Sequence, residues 1–152
     1  MDGRFGVGQN VGYEFGDEMT ISGDASVVWE VWTDLARFPA WDPREEETRP
    51  KGPFAVGTTV WSKQQGSPGG DSTIVAIDPG RCWTVESSLP GGRLRIDHRV
   101  EPVGEGKVEV SKWYQVQGPL TLLFRFYYAP RIRNALRRTF AALEREAARR
   151  TG

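Results

Sequence analysis

The 152 residues suit one domain with a sizeable core. Twenty Lys and Arg balance twenty Asp and Glu, so the zero net charge argues against a general nucleic-acid binder. A single cysteine, Cys82, excludes an intrachain disulfide and suits a reducing cytoplasm, and no run of about 18 apolar residues marks a membrane span.

Residues 1–10 are glycine-rich, carry no apolar core of a leader peptide, and are expected to be loose. Gly6, Gly8 and Gly12 mimic a dinucleotide loop, but position 11 is valine and no strand precedes it, so the pattern is rejected. Val11 to Ile21 reads as a first strand, interrupted at Gly16-Asp17. Asp24 is placed to cap a helix from Ala25 to Asp34, because its carboxylate can accept from the free amides of the first turn. Val28, Trp32 and Leu35 share one face of it. A short turn at Ala36 to Phe38 is expected to stop at Pro39, with Trp41 folded back as a plug.

Arg44 to Pro50 reads as a short edge strand. Glu45, Glu46 and Glu47 are read as its solvated surface, since consecutive strand residues alternate faces and cannot converge on one metal ion. Five runs follow, each closed by Gly, Pro or Asp: Thr58–Gln65, Ser72–Ile77, Arg81–Leu89, Arg93–Val103 and Lys107–Gln117. Links this short make antiparallel neighbours. In the fourth run Leu94, Ile96, His98 and Val100 face one way, and Arg93, Arg95, Asp97 and Arg99 the other. One face is therefore covered and one wet.

Everything else is organised around the last helix, from about Pro119 to Arg150. Ile132, Leu136, Phe140, Leu143 and Ala147 recur every three or four residues as one apolar stripe, with Arg131, Arg138, Arg145 and Arg149 opposite. Pro119 suits a first helical position. Leu120 to Tyr128 is apolar nearly all round, and Pro130 is expected to kink or break the helix. A stripe of this length needs a partner surface as long as itself, and the strands supply one.

Three stretches carry a resemblance: Ile21–Asp34, Phe38–Pro43 and Val116–Leu120. They resemble the polyketide cyclase/dehydrase and lipid-transport superfamily, the START-like or Bet v 1-like (SRPBCC) proteins. The resemblance implies an α+β helix-grip fold in one ligand-binding domain over residues 11–150. A curved antiparallel sheet would wrap the long C-terminal helix, with two short helices after the first strand and an apolar cavity between sheet and helix. It brings no catalytic signature, and Val28, Trp32 and Trp41 would be packing residues.

The candidate chemistry is sparse. His98 is the only histidine, and it could serve as a general acid or base or as a hydrogen-bonded wall residue. Glu86 is assigned to solvent, because Trp83, Val85 and Leu89 form the more apolar face of its strand. Lys112 is taken to mark a wet face, which would put Trp113 and Gln115 beside His98. Cys82 has no sequence neighbour that would lower its pKa and reads as an inert thiol. One histidine and one cysteine cannot build a usual zinc site, and no phosphate loop precedes a helix, so neither metal nor cofactor is expected.

Three readings stay open. The first is a binder of a hydrophobic, aromatic or polyketide-like small molecule, with a wall of Trp32, Trp41, Trp83, Ile96, His98, Trp113, Gln115, Phe124, Tyr127 and Tyr128. The second is a polyketide aromatase/cyclase or dehydratase moving protons through His98. The third is an interaction module, which needs an exposed apolar patch that the sequence does not locate. Few polar residues on covered faces favour binding. The expected setting is cytoplasmic, as monomer or homodimer, with no nucleic acid and no stable membrane insertion.

Overall fold

A computed structural model describes residues 12–151. The loose segment expected at 1–10, and position 11 where the first strand was to begin, lie outside the described residues. The chain runs β1 (Tyr13–Ser22), α1 (Ala25–Thr33), a 3₁₀ turn (Leu35–Arg37), α2 (Phe38–Trp41), then β2 (Glu45–Pro50) and β3 (Thr59–Gln64). It continues through β4 (Gly70–Asp78), β5 (Cys82–Leu89), β6 (Gly92–Gly104) and β7 (Lys107–Gln117). It closes with α3 (Thr121–Leu123), a π-helical turn (Phe124–Tyr128) and α4 (Ala129–Thr151).

The seven strands form one antiparallel sheet in the order β1-β7-β6-β5-β4-β3-β2. The meander follows from the short turns, and β1 then pairs with β7 over its full length. Register shifts at Glu45/Glu47, Ile74/Ala76 and Pro102/Gly104 mark bulges, which sharpen the strand twist and help the sheet curl. The curled sheet grips the C-terminal helix, as the helix-grip expectation requires. β1 is unbroken at Gly16-Asp17, because Gly16 is packed under Trp113 of β7, where a Cβ would sit 2.3 Å from the Lys112 carbonyl.

The apolar stripe of α4 is the centre of the core. Leu136, Phe140 and Leu143 are fully buried with Val28, Val31 and Trp32 of α1 and Phe15 and Ile21 of β1. Phe15 stacks on its cross-strand partner Tyr114 at 4.8 Å. Asp24 caps α1 as expected, accepting from the Ser26 amide at 2.8 Å. Asp42 ties the α2–β2 corner to α4 by accepting from the Thr139 hydroxyl at 3.0 Å.

Three local expectations are corrected. Pro39 does not end a helix; it sits in the first turn of α2, where its missing N–H costs nothing. Pro119 lies before the last helix, which starts at Thr121 after a turn closed by Thr121 N–H donating to Gly118. Pro130 does not break the rod. The π turn just before it, closed by Ala129 N–H donating to Phe124, widens the backbone where α geometry would drive the proline ring into a carbonyl.

Gly118 has φ +104°, and a Cβ on it would meet Gly92 Cα at 2.7 Å, so two backbones touch where β7 hands over to α3. Gly118→Ala is expected to cost more than about 1 kcal/mol in urea melts. Gly104→Ala, with open space around its Cβ position, should stay within about 0.5 kcal/mol of wild type.

Candidate functional site

A pocket of about 430 Å³ lies between the concave sheet face and the C-terminal helix. That volume is in the ordinary range for small-molecule sites. It opens among Pro68 and Gly69 of the β3–β4 turn, Pro90 of the β5–β6 turn and Leu123, all exposed.

Strand alternation decides its wall. Trp83, Val85, Ser87 and Leu89 of β5 point into the pocket, and so do Leu94, Ile96 and His98 of β6. Glu86 points the other way and meets Arg95 at 3.6 Å and Arg93 at 3.8 Å, as expected of an outer residue. β7 has the phase opposite to the one expected. His98 pairs with Lys112 and Ile96 with Tyr114, so Lys112 and Tyr114 share the pocket face. Trp113 and Gln115 therefore fall on the outer face and do not line the pocket. A lysine was a poor guide to the wet side, because register, set by the β6–β7 pairing, outranks the polarity of one residue.

The other predicted wall residues divide. Phe124 and Tyr128 line the pocket, with rings 5.0 Å apart. Trp32 sits behind the wall, edge-on to both His98 (5.3 Å) and Phe140 (6.3 Å). Trp41 packs edge-on to Phe38 at 5.4 Å, and it is Phe38 that reaches the pocket. Tyr127 is outside, half-exposed beneath the Arg131 guanidinium at 3.7 Å. Leu122 and Phe126, 65% and 72% exposed, lie on the same segment, so an exposed apolar patch that the sequence did not locate stands beside the pocket mouth.

His98 is buried, stacked on the Trp83 indole at 3.8 Å and nearly parallel to it. Its Nδ1 lies 3.2 Å from the Trp83 carbonyl oxygen. A carbonyl can only accept, so Nδ1 carries the hydrogen and Nε2 is left as an acceptor. Burial first, then the charge of Lys112, pushes the imidazole well below its usual pKa and holds it neutral. That departs from the near-neutral value a proton shuttle wants.

Glu45 corrects the solvated-edge reading of the three glutamates. It lines the pocket, and the Gln64 side-chain amide donates to its two carboxylate oxygens at 3.1 and 3.0 Å. Burial raises its pKa, and the charge of Lys112 partly offsets the rise. Glu46 and Glu47 stay outside, paired with Lys63 and Arg49. Among the described residues no cluster of three or more His, Cys, Asp or Glu could hold a metal ion. Cys82 is half-buried, and burial pushes its thiol up, away from reactivity.

Sequence and structure comparisons place this arrangement. The profile of the polyketide cyclase / dehydrase and lipid transport family matches residues 14–148. The chain belongs to that family. Among solved structures, a norcoclaurine synthase point mutant from Thalictrum flavum, in complex with a transition-state analogue, is 16% identical. It aligns over 92% of this chain and 96% of its own, with a TM-score of 0.67. The Zhui aromatase/cyclase from Streptomyces sp. R1128 is 15% identical, with the same coverage and TM-score. A START superfamily protein from Mycobacterium smegmatis is 11% identical over 90% of this chain and 97% of its own, with a TM-score of 0.64. No curated protein matches the chain. At these identities the structural likeness speaks for the fold that the family shares. Among the described residues of this family member, no helix is long and apolar enough to cross a membrane.

Proposed function

We propose that this polyketide cyclase / dehydrase and lipid transport family member binds a hydrophobic, aromatic or polyketide-like small molecule in the pocket between sheet and helix. The observation that carries the reading is the wall itself: Trp83, Ile96, Tyr114, Phe124 and Tyr128 present large apolar surfaces around about 430 Å³. Packed residues of this size normally fill such a space, so a wall of them around a void favours a ligand that completes the core.

A second reading has its own support. Glu45, His98 and Lys112 line the same pocket. A carboxyl with a raised pKa and an ammonium in one apolar site are the residue types that would move a proton during cyclisation or dehydration of a bound polyketide. In this reading His98 contributes the Nε2 acceptor and holds a substrate hydroxyl.

Nile red titrations test the pocket. Tyr128→Ala is expected to weaken dye binding about tenfold while shifting the urea midpoint little, because Tyr128 is only half-buried against the core. Tyr127→Ala, outside the pocket, should bind as wild type does. Equal binding by wild type and Tyr128→Ala would remove the proposed role of the aromatic wall.

A further inference from the structure

Lys112 stands apart from the rest of the charged residues. It is 8% exposed, lies on the pocket wall, and makes no hydrogen bond or ion pair within 4 Å among the described residues. Its ammonium is 5.6 Å from the centre of the Tyr114 ring, and its cross-strand partner is the buried, neutral His98. Glu45, on the same wall, feels the Lys112 charge, yet its carboxylate is held by the Gln64 amide rather than by Lys112. Arg44 adds a second positive charge to the wall, and Asp71 at the rim is engaged by Lys51 at 3.1 Å. The Lys112 side chain is buried while its ammonium has no contacting anion among the described residues, and a charge so placed is normally matched by an anionic partner. Here the space next to it is a ligand-sized void.

We infer that the pocket takes a hydrophobic carboxylate and that Lys112 pairs with its acidic oxygens. This inference rests on the pocket-binding reading above and adds the ligand's charge to it. The apolar end of the acid would lie toward Phe124 and Tyr128, with the carboxylate against β7. Lys112 supplies the donors, and the Tyr114 ring stabilises the ammonium from one side.

The test compares 2-naphthoate with the neutral 2-naphthamide by calorimetry, with Nile red as a charge-independent probe of the pocket. Wild type is expected to bind the acid at least tenfold more tightly than the amide. Lys112→Met should abolish that preference, with Nile red binding read alongside to report whether the pocket still forms. Lys112→Arg should keep part of the preference, and Lys112→Gln replaces the Met variant if that protein does not fold. Equal affinity of wild type for acid and amide, with Nile red still bound, overturns the charge inference alone. A preference that survives loss of the lysine charge also overturns it. Failure of all three probes to bind overturns the pocket reading and the inference with it.

Discussion

Phe140→Ala should lower stability by about 3–5 kcal/mol, the cost of deleting a buried aromatic ring. Phe140 is fully buried at the middle of the α4 stripe and meets Trp32 edge-on at 6.3 Å. It therefore joins the last helix to α1, and Trp32 in turn backs His98 at 5.3 Å. The void left by alanine cannot collapse easily, because the sheet on one side and α1 on the other are each held by their own hydrogen bonds. Leu136→Ala, one turn earlier and 1% exposed, should cost about 2–5 kcal/mol. Urea or guanidinium melts read both values. A loss under about 0.5 kcal/mol in both variants is surface behaviour and would refute the gripped-helix packing.

Acid should destabilise the protein through its one histidine earlier than carboxylate titration alone would. The folded state holds His98 neutral, with a pKa well below the usual 6.5. The unfolded chain binds a proton there as pH falls through 6.5, while the native state does not. Unfolding then takes up a proton, so stability is complete above about pH 6.5 and declines below it until the folded pKa is reached. The slope is at most about 1.4 kcal/mol per pH unit. The loss grows as pH falls below 6.5 and stops growing once the folded pKa is reached. Glu45 and Glu109 act in the opposite sense, because their raised pKa values favour the protonated native state as pH falls toward 4.5. That contribution is common to wild type and His98→Gln, so the difference between their melts isolates the imidazole. His98→Gln should lose the slope that begins below pH 6.5, while the amide keeps a donor for the Trp83 carbonyl. An unchanged slope would show that His98 titrates normally in the folded state.

The same residue shows what could be read early. The alternation Leu94, Ile96, His98, Val100 is unambiguous, because Arg95, Asp97 and Arg99 occupy the three intervening positions and Arg93 precedes them. Its covered face follows from hydrophobicity alone, and the structure puts Leu94, Ile96 and His98 on the pocket. β5 is nearly as clear, with Trp83, Val85 and Leu89 in phase. β7 carries Val110, Lys112, Tyr114 and Val116 on one face and Ser111, Trp113, Gln115 and Gln117 on the other. Each set contains a large aromatic and polar residues, so the pattern of that strand is consistent with either phase.

The sequence by itself determined the element order, the meander, the gripped helix and the family. Those properties rest on local signals: glycine and proline at the turns, a period of 3.6 in α4, a period of 2 in β6 and the capping aspartate. Tertiary structure alone decided the charged part of the site and the phase of β7. Lys112 enters the pocket because the β6–β7 register seats it opposite His98, and Glu45 enters because β2 bends into the curled sheet at its bulge. Tyr127 leaves it because the five-residue turn before Pro130 sets the helix phase so that Phe124 and Tyr128, not their neighbour, face inward. For Lys112 and Glu45 the deciding pairing joins strands that no local window of sequence contains together, whereas the turn that directs Tyr127 is local and shows only in the backbone.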